Sequence, residues 1–360
     1  MDGQSPSADI GTIDEMTAGF GKHNLMAGWN VLAQEVPLQP ASNAVPCHWP
    51  YAEMRDQLFL AGRLVPPEDA ERRILVMANP GLGGRPATTP TIFTDVQLVL
   101  PGEETNIHRH TPSALRFMIE GEGSYAMTGG ERNQQHKGDL VLGPSWGWHS
   151  HGNLGDNPAV WFDALDIPLV KMLDASFFEG YDADSFRDNT TDEGSVRAYG
   201  KPGVLPTWNR TATAATAATP LLKYSWVDTH AALLALPDEN ASPFDDMMLE
   251  YVNPLNGGPI MPTLACHLQR LRPGCKTASH RHTSSTVYVA AAGAGTSIIG
   301  DRRFDWQSGD VVSLPSWTWH AHENRSDSED AILFSVTDAP TLKALNLWRE
   351  ERGGDDRAKS

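Results

Sequence analysis

The sequence has little cysteine. Cys47, Cys266 and Cys275 are its three, and no two form a CxxC pair. An odd, scattered set argues against a disulfide framework and fits a reducing cytosol. Positive charge is also scarce. Lys and Arg number 28 against 45 Asp and Glu, for a net charge of −17. That balance argues against nucleic acid and anionic membranes as partners, because both reward basic patches. An anionic ligand would have to be drawn in by a few arginines against the overall field. No apolar run approaches the roughly 20 residues that span a bilayer. The N-terminal stretch MDGQSPSADIGTIDEMTAGF lacks a basic n-region and an apolar h-region. The expectation is a cytoplasmic globular protein. At 360 residues, with 40% hydrophobic and 20% charged residues, it can bury two cores of ordinary size.

What the chain has in abundance is a histidine pattern that occurs twice. Residues 102–117 read GEETNIHRHTPSALRF and residues 138–153 read GDLVLGPSWGWHSHGN. Residues 274–289 read GCKTASHRHTSSTVYV and residues 309–324 read GDVVSLPSWTWHAHEN. His108, His110, His149 and His151 answer to His280, His282, His320 and His322, at an offset of 172 residues that becomes 171 at the last two. Eight of the 13 histidines therefore lie in two matching sets. HisxHis on a strand puts both rings on one face, and a third histidine follows a Gly-Asp turn and a proline. Three neutral imidazoles from neighbouring strands can converge on one ion. A lone histidine is more often a hydrogen-bonded core residue, but core histidines do not repeat in register.

The texture around these blocks is β-rich from Ile74 onward, in short runs ending in Gly, Pro or Asn, as in barrels and sandwiches. Residues 1–70 have helical stretches, notably EMRDQLFLAG from Glu53 to Gly62. They are expected to form an arm on the first barrel or on a neighbouring subunit. A first barrel over 71–170 and a second over 246–340 are expected. The connection at 171–245 contains FRDNTTDEGS and the low-complexity TATAATAAT of residues 211–219, and is expected to run over the surface. Residues 341–360 should form a terminal helix and tail.

The two blocks resemble the paired motifs of the cupin superfamily. Gly102, His108, His110 and Gly121 fit its first motif; Gly138, Pro144, His149 and Asn153 fit its second. The second copy repeats this with Gly309, Pro315, His320 and Asn324. The motif's Glu is missing from both copies: Ala114 or Leu115 stands there in one, Thr286 or Val287 in the other. A Trp, Trp146 or Trp317, replaces the usual Gly after the proline. The resemblance implies an all-β bicupin of two jelly-roll (double-stranded β-helix) barrels, with an N-terminal helical arm and a C-terminal helix. Three neutral ligands leave a divalent ion its full charge and open positions, the arrangement of non-haem Fe(II) oxygenases, although zinc would satisfy the same ligands.

From about Trp49 to Trp348 the sequence is similar to the bicupin gentisate 1,2-dioxygenases and salicylate 1,2-dioxygenases. ERRILVMANPGLGG (71–84), the two histidine segments and WFDALDIP (161–168) carry that likeness. It implies Fe(II)-dependent ring cleavage of a 2-hydroxybenzoate by O2, with one iron on His108, His110 and His149. It also implies a carboxylate-binding Arg116 and an acid–base or hydrogen-bonding His151. Asp163 would interact with His151 and a ring hydroxyl. Arg72, or its neighbour Arg73, would close over the ring, and Gln97 would line the pocket. A homotetramer follows from the same resemblance. Alternation independently supports Arg116, which lies eight residues after His108, and a guanidinium matches a carboxylate bidentately.

Phe93, Asp95 and Gln97 share a strand face before the first motif. The family often has Trp or Tyr, then a small residue, at the positions of Phe93 and Asp95. A buried Asp95 would need a partner, with Arg72 a candidate, or would contact a polar ring substituent. A one-residue register slip would instead turn it outward. Gentisate and salicylates with amino, nitro or halogen groups at the 5-position are therefore both candidate substrates. In the second copy Tyr288 replaces Arg116 and Phe334 is expected to replace Asp163, which places the chemistry in the first barrel. His280, His282 and His320 then form a possible second metal site, or remain hydrogen-bonded without an ion. Alternatives from other classes are a metal-dependent isomerase or hydrolase on the same scaffold and a non-enzymatic ligand-binding bicupin.

Overall fold

The structure is a computed structural model describing residues 12–66, 73–181, 191–202, 206 and 218–353. Two compact units divide the chain, Met1–Ala41 and Ser42–Ser360. The first contains helices Ile13–Ala18 and Gly28–Glu35, and the former is capped reciprocally by Thr12 and Glu15. Everything below concerns the second unit. No helix among the described residues is long and apolar enough to cross a membrane.

Its strands, in chain order, begin with β1 (Cys47–Trp49), β2 (Arg73–Val76), β3 (Phe93–Val99), β4 (His108–His110), β5 (Ala114–Glu120) and β6 (Ser124–Thr128). They continue with β7 (Glu131–Gln134), β8 (Leu140–Gly143), β9 (His149–Asn153), β10 (Ala159–Leu165), β11 (Phe178–Gly180), β12 (Thr191–Asp192) and β13 (Lys223–Tyr224). Then follow β14 (Met247–Glu250), β15 (Ala265–Leu271), β16 (His280–His282), β17 (Thr286–Ala292) and β18 (Ala294–Ile299). The last are β19 (Arg302–Gln307), β20 (Val311–Leu314), β21 (His320–Glu323), β22 (Ala331–Thr337) and β23 (Glu350–Arg352). Sheet β13-β8-β5-β10-β3-β2 with sheet β11-β4-β9-β6-β7-β12 makes the first jelly roll. Sheet β1-β20-β17-β22-β15-β14 with sheet β19-β18-β21-β16-β23 makes the second.

Period-two alternation explains how the barrels join. On β3, β5 and β10, the residues Val96, Leu98, Leu115, Phe117, Phe162 and Ala164 form one buried cluster with Cys266, Leu268, Val287, Val289, Phe334 and Val336 of the second barrel. Phe117 and Phe334 stack at 4.2 Å between ring centroids, with 9° between their planes. The apolar faces therefore lie between the barrels. The alternate residues, Phe93, Asp95, Gln97, Arg116 and Asp163, belong to the opposite face, and all five are buried.

The connecting segments cross over. β1, expected in an arm on the first barrel, instead pairs with β20 of the second, Cys47 opposite Ser313. The helix that follows it, Tyr51–Leu64, then lies against β2 and β3 of the first barrel. Symmetrically, β13 pairs with β8 of the first barrel, and the helix Trp226–Leu234 lies against β14 and β15 of the second. Each Gly-Asp turn receives one crossing. Tyr51 N donates to Asp310 Oδ1 and Trp226 N to Asp139 Oδ1, both at 2.8 Å. Gly138 (φ 85°) and Gly309 (φ 93°) need the left-handed region, and a Cβ on either would collide with the Trp226 or Tyr51 ring.

Two expectations change. Residues 341–352 are not one helix: a short helix, Ala339–Ala344, ends, and Glu350–Arg352 becomes β23, an edge strand paired with β16. The 171–245 connection is not only a surface link, because its β11 pairs with β4, the first HisxHis strand. The composition of both segments hides this, since three-residue edge strands carry too little pattern to read.

Candidate metal centre

β4 and β9 lie side by side, with His108 opposite His149. The ring centroids of His108, His110 and His149 are 4.3–5.7 Å apart, and one nitrogen from each lies within 4.8 Å of the others. In each ring Nδ1 meets a backbone carbonyl: Asn106 O at 2.7 Å, Pro112 O at 2.7 Å and Gly147 O at 2.8 Å. A carbonyl can only accept, so Nδ1 carries the hydrogen and Nε2 keeps its lone pair. His149 Nε2 is buried and has no hydrogen-bond partner. Burial first, then the charges of Arg116, His108 and His110, hold the His149 imidazole well below its ordinary pKa and therefore neutral. This donor set fits a divalent ion. Phe178, from β11, stacks on His108 with centroids 5.6 Å apart.

Arg109, between the two ligands of β4, ties the site to its surroundings. Its guanidinium sits 4.3 Å from the Trp146 ring and 4.4 Å from the Trp148 ring, and bonds Glu179 of β11 at 2.6 Å. Trp146 adopts the left-handed conformation (φ 60°), as Trp317 does in the second copy (φ 57°). An aromatic residue there costs about 1–2 kcal/mol. The Arg109 stack and the bond from Trp146 N to His110 O (2.8 Å) help to hold it. Sequence reading noticed Trp146 and Trp317 without seeing that each stacks on an arginine, Arg109 in the first copy and Arg281 in the second.

On the facing sheet, cross-strand register sets Arg116, Asp163 and Asp95 in one row across β5, β10 and β3. Arg116 Nε stands 3.4 Å from Asp163 Oδ1, with both side chains buried. Asp163 Oδ2 accepts from Trp161 Nε1 at 2.9 Å. Gln97 pairs with Trp161 in the row on one side and Phe93 with Leu165 in the row on the other. Asp95 is thus turned to the Arg116 face, in the register that alternation gives. His151 is buried, its ring 5.6 Å from His149 and edge-on to Trp161 at 5.8 Å. Asp163 was expected to interact with His151; the contacts described for its carboxylate are with Arg116 and Trp161. Arg73 is engaged elsewhere, forked onto Glu103 at 2.5 Å. Arg72 lies outside the described residues.

Sequence reading missed Gly143. A Cβ there would lie 3.4 Å from Arg116 Nη1, already in contact, so any longer side chain would press on the guanidinium. The signal was available, because the second copy has Leu314 in its place. One expected correspondence also changes. Asp163 faces Asp95 across β10 and β3, and Ser335 faces His267 across β22 and β15. The counterpart of Asp163 is therefore Ser335, while Phe334 answers to Phe162. The turn before β22 has one extra residue (Ala331 follows Asn324 by seven, Ala159 follows Asn153 by six), which restores the 172-residue offset.

The Cupin domain family model matches residues 95–167 and 267–337. Gentisate 1,2-dioxygenase 1 of Aquipseudomonas alcaligenes is 37% identical over 94% of this chain and 96% of its own length. The 5-aminosalicylate 1,2-dioxygenase of a Comamonas species is 38% identical over 94% of this chain and 90% of its own. The crystal structure of salicylate 1,2-dioxygenase from Pseudoaminobacter salicylatoxidans with gentisate superposes with a TM-score of 0.88 at 32% identity, covering 97% of this chain and 96% of that one. The chain belongs to the gentisate and salicylate 1,2-dioxygenase family. It is a ring-cleaving dioxygenase of hydroxybenzoate type built on a bicupin fold. The dioxygenase places its buried arginine beside one histidine triad only. The second triad faces Tyr288, Ser335 and Leu333 instead of Arg116, Asp163 and Trp161.

Proposed function

We propose that this dioxygenase is Fe(II)-dependent, and that it cleaves a 2-hydroxybenzoate between the carboxyl-bearing and hydroxyl-bearing carbons in the N-terminal barrel. The observation that carries the reading is a buried Arg116 facing inward in the barrel of the first triad, with nothing like it in the second barrel. His108, His110 and His149 would hold the ion. Bound there, Fe(II) supplies open positions and the redox chemistry by which O2 reacts with the ring.

The protein's own residues then set the substrate. Arg116 receives the ring carboxylate, and Asp163, braced by Trp161, orients Arg116. His151 hydrogen-bonds or exchanges a proton with an oxygen of the substrate or of O2. Phe93 and Gln97 line the pocket beside the row. Asp95 adds a second carboxylate to a row holding one guanidinium, so it favours a ring whose distal substituent donates a hydrogen bond. Gentisate, with a 5-hydroxyl, and 5-aminosalicylate meet that demand; unsubstituted salicylate does not. Anaerobic Fe(II) loading followed by oxygen uptake with gentisate, salicylate and 5-amino-, 5-nitro- and 5-halosalicylates tests the reading. Uptake should be fastest with a 5-hydroxyl or 5-amino group. Absence of uptake with every 2-hydroxybenzoate would sink it.

A further inference from the structure

We propose that the C-terminal barrel binds a second divalent ion of the zinc and ferrous class, in a site that braces the barrel and takes no substrate. His280, His282 and His320 each bring one nitrogen within 4.8 Å of the others, as the first triad does. Their ring centroids are 4.1, 5.0 and 5.7 Å apart, against 4.3, 4.8 and 5.7 Å in the first site. His320 Nδ1 meets Thr318 O at 3.2 Å, and His282 Nδ1 lies 2.9 Å from Ser284 O and 2.8 Å from Ser284 Oγ, so both rings are held through Nδ1 and present Nε2 to the shared space. Imidazole lone pairs facing one another in a buried space cannot satisfy each other, and His320 is only 2% exposed. A cation among them resolves that conflict.

The support around the triad is repeated as well. Arg281 sits 4.5 Å from the Trp317 ring and 4.7 Å from the Trp319 ring, and its Nε donates to Glu351 of β23 at 2.6 Å. This reproduces Arg109, Trp146, Trp148 and Glu179 member for member, and β11 and β23 stand at the same 172-residue offset as the barrels they follow. Of the residues that would hold a ring, Gln97 has a counterpart in Gln269, but Arg116, Asp163 and Asp95 become Tyr288, Ser335 and His267. Tyr288, Leu314, Leu333 and Trp306 fill the interior as one apolar cluster. His322 is fixed by Ser297 Oγ at 2.9 Å, which also accepts from Trp306 Nε1; Ala126 and Gln135 stand at those two places in the first barrel. The fourth histidine here is a strut.

Three ligands from one barrel match zinc or ferrous iron in donor type. The test is metal content of the full-length protein after anaerobic loading and desalting, with Co(II) visible absorption as a second readout. Wild type should carry two ions per chain. The His108→Ala/His110→Ala protein should keep one, with its Co(II) spectrum intact. Adding His282→Ala to that protein should abolish the spectrum and weaken Co(II) binding by more than the 10–100-fold that outer partners contribute. His282→Gln, with circular dichroism, controls for folding. One ion per chain in wild type and none in the His108→Ala/His110→Ala protein would overturn the proposal. So would an ion that survives His282→Ala. Neither result bears on ring cleavage, so this inference and the proposed function fail separately.

Discussion

Replacing Arg116 by Gln removes the one cation in the inward row while leaving a side chain of similar reach. Its Nε lies 3.4 Å from Asp163 Oδ1, and both groups are about 95% buried. Truncating one member of a buried, hydrogen-bonded charge pair costs about 2–5 kcal/mol. Applied to the substrate carboxylate, that is a loss of roughly 30- to 5,000-fold in kcat/KM. Much of the loss should appear in KM if Arg116 serves mainly to bind the carboxylate. Arg116→Lys should recover only part, because a point charge cannot form the two-pronged contact. The same change leaves Asp163 buried without its counter-charge, which destabilises the fold by about 3–5 kcal/mol. Adding Asp163→Asn should return most of that stability without returning activity. Denaturation midpoints and steady-state kinetics on the four proteins separate the two effects. If Arg116→Gln turns over every 2-hydroxybenzoate within threefold of wild type, the assignment of Arg116 fails, and with it the argument for the N-terminal barrel.

Gly143→Leu installs the second barrel's residue where a Cβ already approaches Arg116 Nη1 at 3.4 Å. It should raise KM at least tenfold while metal content, measured directly, stays unchanged; loss of metal instead would mean that the turn, and not the guanidinium, was disturbed. Asp338 predicts a pH effect. Burial lifts its carboxyl from 3.8 to about 6, against the opposing bonds from Thr91 Oγ1 and Ser285 N. The folded chain then holds the proton that the unfolded chain releases, so this group's contribution to stability falls as pH rises from about 4 to 6, by about 2–3 kcal/mol. Asp338→Asn should be the more stable protein at pH 7 and lose its advantage below pH 4. Urea midpoints that differ equally at the two pH values would contradict the assignment.

The histidine triads were legible because HisxHis spacing, a Gly-Asp turn and a third histidine are local signals, and their duplication removes chance. Arg116 was placed on the inward face by an argument that was only partly right. Alternation was carried from His108 to Arg116 as if along one strand. The chain breaks at Thr111–Ser113, and β4 and β5 belong to different sheets. Arg116 faces inward because its own strand buries Leu115 and Phe117 against the other barrel. Asp163 was matched to Phe334 because a single inserted residue in a turn cannot be placed without register. The crossing strands β1 and β13 and the edge strands β11 and β23 were not legible, since two- or three-residue edges are chosen by their partners and not by their own composition.

The comparison of the two barrels explains why a chain would keep both triads and lose one pocket. Interfaces between the barrels depend on outward faces, and these are apolar in both copies: Phe117 and Phe162 on one side, Val289 and Phe334 on the other. The strands that carry the histidine triads lie on the opposite sheets, where Arg109 and Arg281 join them to the edge strands β11 and β23. The outward apolar faces and the arginine clasps are therefore repeated in both barrels. The proposed substrate pocket rests on the inward row of the remaining sheet. There a handful of changes, Arg116 to Tyr288, Gly143 to Leu314, Trp161 to Leu333 and Asp163 to Ser335, replace a charged pocket with a packed core. An inward row can change without disturbing its neighbours, because period-two alternation sends each of these side chains away from the shared interface.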